Sequence, residues 1–294
     1  MRTGGNATRP RSLDGDVQPV VVFILSANRS GSTWLNLVLG SHSWAANVGE
    51  FYRPFLFPGH VICRLCEAEE LPSCTVLAGL ESVSAERAYH FAAERFGRGC
   101  IVDASKRLDW CARFLARDDL SVRLVHLVRH PAGYVASELI RRPHEMPSSL
   151  FDEWRRINGE IEEFTAASGR PHMVVAYDDL ADAPHEEMPR LCTFAGGEFE
   201  PAALEYWRFP HHGLGANGAA SLYLAGRKRR NWERSEDAFY EAAKQRPVRA
   251  DTRWAERLPA DECERMLDHP YVAQLRARIG TARAWARPSD LGRR

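Results

Sequence analysis

The sequence predicts an α/β fold: a single domain in which a parallel β-sheet of about five strands is flanked by helices. Three observations predict it. Val20-Val21-Val22-Phe23-Ile24-Leu25 is an unbroken apolar run, half of it Val, as a strand buried on both faces requires. It passes through a small polar turn into Trp34, Leu35, Val38 and Leu39, which recur at helical spacing. A second apolar run, 122–128, ends on Arg129 and is followed by Pro131, which suits the first turn of a helix. Strands that alternate with helices in this way build a parallel sheet.

In chain order, residues 1–19 are rich in Gly, Pro, Asp and Arg and read as a frayed leader. The domain covers 20–286 and a tail 287–294. The helix entered at Ser32 runs to about Gly40, a suitable C-cap. The short segment 45–51 brings Glu50 to a strand end. Residues 84–97 are helical, with Ser84 as N-cap, Glu86 in the first turn and Gly97 as the stop. A strand then ends at Asp103, which reads as the N-cap of a helix running through Asp109 to Arg117. In 150–168, Leu150, Trp154, Ile157, Ile161 and Phe164 form one apolar stripe, a core face. A strand over 172–177 and a helix over 185–195 follow, the latter turning Met188, Leu191 and Phe194 inward. Residues 259–286 are helical, with Leu258, Met266, Leu267, Leu275 and Ile279 available for packing.

The totals narrow the function. The 294 residues are 45% hydrophobic, enough for a real core, and the 39 basic and 39 acidic residues cancel. No global basic field exists, which argues against a nucleic-acid binder and leaves room for a local cationic site. Seven cysteines, an odd number, suit a reducing compartment. No stretch is long and apolar enough to span a bilayer, and the N-terminal residues lack an apolar signal core, so a cytoplasmic protein is expected.

The chemistry gathers at two strand ends. A strand, a tight turn with Gly31 and a helix start place backbone N–H groups, a helix dipole and Arg29 around one point, which is an anion site for phosphate or sulfate. It is not a Walker A loop: the first Gly position is Ser26 and the Lys position is Ser32. Arg129 at the second strand end offers a planar fork for a dianionic phosphate, and Ser137 on the following helix adds a donor. Glu50 is placed to take a proton from a hydroxyl, provided burial raises its pKa. Lys106, just past the strand ending at Asp103, can add positive charge. His60, Cys63, Cys66 and Cys74 include one C-x-x-C and could make a Cys₃His zinc site. The spacing is not a strong zinc pattern, and loop thiols without metal are the favoured alternative.

The stretch 26–34, with a basic residue before Ser30-Gly31-Ser32-Thr33-Trp34, resembles the 5′-phosphosulfate loop of sulfotransferases that use 3′-phosphoadenosine 5′-phosphosulfate (PAPS). Leu127-Val128-Arg129-His130-Pro131 with Ser137 is similar to that family's 3′-phosphate segment. The likeness runs from about Val20 to Ile279. Three departures stand out: His130 replaces the usual Asp and sets an imidazole near the nucleotide, Ala176 replaces a usual Arg, and Gly follows neither Arg nor Lys in the basic run 226–232. The resemblance implies a P-loop NTPase-like sulfotransferase fold. It implies transfer of a sulfuryl group from PAPS to a hydroxyl of a small-molecule, glycan or lipid acceptor, with no metal required. Arg29, Ser30, Gly31, Ser32, Thr33, Trp34, Arg129 and Ser137 would bind the nucleotide, and Glu50, Arg29 and Lys106 would act in catalysis. The 211–218 segment or 227–230 is expected as a lid, with His211 or His212 solvated or a second base. Two alternatives remain: a P-loop kinase using ATP and magnesium, with Asp103 as a metal ligand, and a nucleotide-binding protein without catalysis.

Overall fold

Five parallel strands form one sheet in the order β2-β3-β1-β4-β5 in the computed structural model of the protein. They are β1 (Val20–Leu25), β2 (Ala45–Gly49), β3 (Cys100–Asp103), β4 (Ser121–Val128) and β5 (His172–Ala176). The structure describes residues 18–57, 63, 65, 74–215, 250–280 and 285–291. Most of the expected leader, His60, Cys66 and the basic run 227–230 lie outside the described residues. All five strand segments expected from the sequence form.

β1 lies at the centre, pairing with β3 from Val20 to Phe23 and with β4 from Val20 to Leu25. Alternate side chains of a strand face opposite ways, and β1 uses both faces. Val21, Phe23 and Leu25 join Tyr89, Trp110 and Phe114 in one core, while Val22 and Ile24 join Leu35, Val38 and Met188 in the other. The first core is covered by α3 (Ala88–Phe96), α4 (Leu108–Leu115) and part of α6 (Pro147–Ala167); the second by α1 (Ser32–Leu39) and α8 (Pro184–Ala195). Between them in chain order lie α2 (Arg53–Leu56), α5 (Pro131–Leu139) and α7 (Tyr177–Asp182). β1 continues over one face through α1, and β4 returns over the other through α6. The crevice between their carboxyl ends is therefore the topological switch point, where open α/β sheets bind ligands.

Leu150, Trp154 and Ile161 of α6 are buried, as the stripe requires, and Met188, Leu191, Leu258, Met266, Leu267, Leu275 and Ile279 all enter the core. Two expectations need correction. Asp103 does not cap the next helix: α4 starts at Leu108 after Arg107, and Asp103 is fully buried. After α9 (Trp254–Arg257), the 259–286 stretch holds not one helix but α10 (Ala260–Leu267) and α11 (Pro270–Ile279), and α12 (Pro288–Leu291) follows it. Pro270 lacks the N–H that would continue α10, so the chain restarts there. Among the described residues no helix is long and apolar enough to cross a membrane.

Candidate active site

Because every strand runs the same way, one edge of the sheet collects the residue that follows each strand. Loop 26–31 leaves β1, Glu50 leaves β2, Lys106 follows β3, Arg129 leaves β4, and Tyr177 and Asp178 leave β5. Every residue expected to bind the nucleotide or act in catalysis lies on this edge or on the helices that start from it.

The β1 loop is tightly turned. Arg29 (φ 62°) and Gly31 (φ 84°) both adopt the left-handed region. Gly31 is needed twice over, since a Cβ there would also lie 2.2 Å from the Tyr177 ring. α1 opens with no side-chain cap, and its first residue, Ser32, is buried. The Ser26 and Ser30 hydroxyls and the Trp34 indole N–H are buried without a hydrogen-bond partner among the described residues. Trp34 packs edge-on against Tyr177, with ring centroids 5.8 Å apart. The loop is thus a small polar cradle with an aromatic wall.

The two strand-tip cations meet. Arg129 donates from Nη1 to the Arg29 carbonyl (2.7 Å), and Arg29 donates from Nε to Ser137 Oγ (3.1 Å). Arg129 is only 7% exposed, lies 5.8 Å over the Tyr177 ring, and leaves its own Nε without a partner. Its Nη2 donates to Asp251 Oδ2 (3.2 Å), a residue that Arg253 also holds. Burial pushes Asp251 up, but the Arg253 hydrogen bonds and the Arg129 charge outweigh it and hold the carboxyl below its usual range. Asp178 accepts from the His130 backbone N–H (2.8 Å), and burial pushes it up to about 6 against the pull of Arg129.

His130 is buried and does not present an imidazole that titrates near neutral pH. Its Nδ1 accepts from the N–H groups of Ala132 (3.2 Å) and Gly133 (3.4 Å), capping α5. The proton therefore belongs on Nε2, which faces the Ala286 carbonyl at 3.2 Å. The ring stacks on Trp254 at 4.2 Å, and burial lowers its pKa to about 3. The imidazole does the capping work that an Asp does at such positions.

At the other end of the edge, both Glu50 oxygens are taken. Lys106 Nζ reaches Oε1 at 3.0 Å, and Arg53 Nε reaches Oε2 at 2.8 Å. Desolvation pushes Glu50 up, yet Lys106 and Arg53 together bring its pKa below the ordinary value. The raised pKa expected of a base is not found. Lys106 itself is left-handed, at φ 60°.

Asp103 sits behind this edge. It accepts from Tyr89 OH (2.5 Å), Trp110 Nε1 (3.2 Å) and the Ser105 N–H (2.5 Å), so neither oxygen faces a ligand. A magnesium ligand there, as a kinase would need, has no support. The described part of the 211–218 segment, 211–215, is a strap on β2 rather than a lid. His211 is buried, bonded to Asn47 Oδ1 (2.7 Å) and the Tyr206 carbonyl (2.8 Å), and Leu214 N–H donates to the Val48 carbonyl (2.9 Å). His212 Nδ1 lies 3.2 Å from Cys74 Sγ. Sequence reasoning missed Asp251 and Tyr177 as parts of the site. Tyr177 carried a signal, since it follows a strand; Asp251 opens an Asp-x-x-Trp stretch, Asp251–Trp254, but no spacing ties it to Arg129, 122 residues away.

No protein-family model and no curated protein matches the sequence. Among solved structures, the chain is similar to the sulfotransferase domain from the curacin biosynthetic pathway, with a TM-score of 0.53 and 20% identity over 88% of this chain and 98% of that one. It also matches the sulfotransferase domain of the Synechococcus PCC 7002 olefin synthase (TM-score 0.49, 20% identity, 89% of this chain and all of that one). A mouse sulfotransferase, SULT7A1, complexed with PAP, matches with a TM-score of 0.47 and 9% identity over 90% of this chain and 89% of that one. The chain has a sulfotransferase-like fold.

Proposed function

We propose that the protein transfers the sulfuryl group of PAPS to a hydroxyl of a small-molecule, glycan or lipid acceptor, releasing adenosine 3′,5′-bisphosphate. The observation that carries this is the contact between the two strand tips: Arg129 rests on the Arg29 carbonyl and Arg29 reaches Ser137, so both cations face one crevice. The buried, unpartnered Ser26 and Ser30 hydroxyls and Arg129 Nε fit an anionic ligand, which would supply their missing acceptors.

In the reaction a bond forms between sulfur and the acceptor oxygen while the bond from sulfur to the bridging oxygen breaks, and the electron pair stays on the 5′-phosphate. Arg29 and the first N–H groups of α1 stabilise the charge that gathers there. Arg129 and Ser137 hold the 3′-phosphate and so select against ATP. Glu50 receives the acceptor proton. Lys106 and Arg53 keep it ionised at neutral pH, the form that can accept. As in phosphoryl transfer, the protein contributes chiefly position and charge.

A thermal-shift titration tests the binding half: adenosine 3′,5′-bisphosphate without metal raises Tm, whereas ATP with magnesium does not. Sulfur-labelled PAPS incubated with hydroxyl-bearing extracts tests the transfer half. A shift with ATP–magnesium alone overturns the assignment in favour of a kinase, and nucleotide binding with no labelled product from any acceptor leaves a binding protein.

A further inference from the structure

Away from the crevice, three soft or borderline donors converge from three stretches of chain. Cys63, Cys74 and His212 place their ligand atoms within 4.8 Å of one another. Cys74 Sγ lies 3.2 Å from His212 Nδ1, although the two residues are 138 apart in sequence. Both thiols are buried, 1% and 0% exposed, beside Leu77 and Leu214. We propose that Cys63, Cys74 and His212 bind a zinc ion that fastens the 211–215 strap to the β2 end of the sheet.

The donors suit that ion. Zinc–sulfur and zinc–nitrogen bonds of about 2.3 and 2.0 Å in a tetrahedron set donors roughly 3.5–3.8 Å apart, so a small inward adjustment brings these donors to three of the four corners. Two thiolates with an imidazole select zinc over magnesium or calcium, which take oxygen. The outer contacts are those that orient metal-bound thiolates: Gly213 N–H donates to Cys63 Sγ and Leu77 N–H to Cys74 Sγ, each at 3.3 Å. Phe96 packs edge-on to His212 at 6.1 Å and fixes the ring. The sequence points to His60 as the nearest histidine, which lies outside the described residues; among the described residues the histidine beside the two thiols is His212.

The site joins what holds Glu50. Leu214 bridges Gly49 and Cys63, and its carbonyl accepts the Glu50 N–H at 2.5 Å. A metal that locks His212 to the two thiolates therefore fixes the strap from which the Glu50 backbone hangs. Its role is structural and takes no part in sulfuryl transfer.

The test uses the full chain purified under reducing conditions. Elemental analysis is expected to find one zinc per chain. After chelation, Co²⁺ alone is expected to restore thiolate-to-cobalt charge-transfer bands and the intense visible bands of a tetrahedral site. Cys74→Ser and His212→Ala lose both metal and bands, whereas Cys263→Ser on α10 keeps them. If either site variant fails to fold, the wild-type cobalt spectrum decides. A wild-type chain that carries no zinc and gives no cobalt bands overturns the proposal. So do bands that survive intact in both site variants, or a Cys63–Cys74 cross-link in the isolated protein by mass spectrometry without reductant.

Discussion

The two halves of the sheet's carboxyl edge are built from the same parts and differ in how far their polar groups are paired. Each has a strand tip, a cation on left-handed backbone (Arg29 at φ 62°, Lys106 at φ 60°) and buried polar groups. Such backbone costs roughly 1–3 kcal/mol per residue, so both cations are held where they are by their surroundings. At the β2–β3 end, Glu50 pairs with both cations, one oxygen on Lys106 and the other on Arg53, and the Ser105 hydroxyl is buried with no partner among the described residues. At the β1–β4 end, the Ser26 and Ser30 hydroxyls and Arg129 Nε are buried with no partner among the described residues. Leaving a buried polar group unpaired costs roughly 1–3 kcal/mol. The contrast separates an end whose cations already share a carboxylate from an end where a cation keeps an unpartnered buried N–H beside two unpartnered hydroxyls, the arrangement on which the proposed anion site rests.

Breaking the β1–β4 end should have the largest effect. Arg129→Ala removes the group that contacts Arg29, faces Asp251 and stacks on Tyr177. Affinity for adenosine 3′,5′-bisphosphate, read by calorimetry, should fall about a thousandfold, the usual loss when one member of a buried charge pair is truncated. An affinity within threefold of wild type would remove Arg129 from the 3′-phosphate site. Arg29→Ala comes next. Its charge matters most as the leaving oxygen gains electrons, so kcat should fall about 10²–10³-fold with much less change in product affinity. Equal losses in binding and turnover would instead make Arg29 a ground-state binder.

The strand-tip placement of both residues was legible in the sequence, for a local reason. A buried strand announces itself in its own composition, and a cation at its tip is placed by the strand alone. The same holds for the five strands and for the α6 stripe through Leu150, Trp154 and Ile161. What failed to show was set by long-range contact. Asp103 looked like a cap or a metal ligand until Tyr89 and Trp110 enclosed it. His130 looked titratable until Trp254 stacked on it. The partner of Cys74 lay at the far end of the chain, and so did the partner of Arg129. No period or spacing encodes such pairs, because they arise only when separate helices close over the sheet.

Asp251 gives a subtler way to sharpen the comparison, since it already occupies one edge of Arg129 and competes with any phosphate there. Asp251→Asn should tighten adenosine 3′,5′-bisphosphate binding about tenfold, by removing a charge that must otherwise be displaced. Weaker binding would mean that Asp251 orients Arg129 rather than competing for it. Lys106→Gln probes the β2–β3 end. Lys106 is the main force holding Glu50 below its ordinary pKa, so its loss raises that pKa. A depressed carboxylate is lost as a base, and as a source of stability, when pH falls through its folded-state value. The acid limb of the pH–rate profile should therefore move to higher pH in the variant. An unmoved limb would show that the limb does not report Glu50.

The smallest effect lies between the halves, at His130, and it turns on a sign. Its pKa is lowered to about 3 by burial, and His126 is lowered to about 4 by the same cause. The unfolded chain binds a proton at these positions near pH 6.5 and the folded chain does not, so stability is complete above that value and declines as pH falls toward the folded pKa. From His130 alone the loss is about 1 kcal/mol at pH 6 relative to pH 7.5. Asn at this position keeps an acceptor for the Ala132 and Gly133 N–H groups without a titratable ring. His130→Asn should then fold at pH 7.5 with a loss of about 1 kcal/mol from the missing Trp254 stack and Ala286 contact. Denaturant melts should show a shallower decline in stability between pH 7.5 and 6, the remainder coming from the other shifted groups, His126 and His42 among them. An unchanged decline would mean that His130 is not the buried neutral cap of α5, and that the β4 tip which presents Arg129 is held in another way.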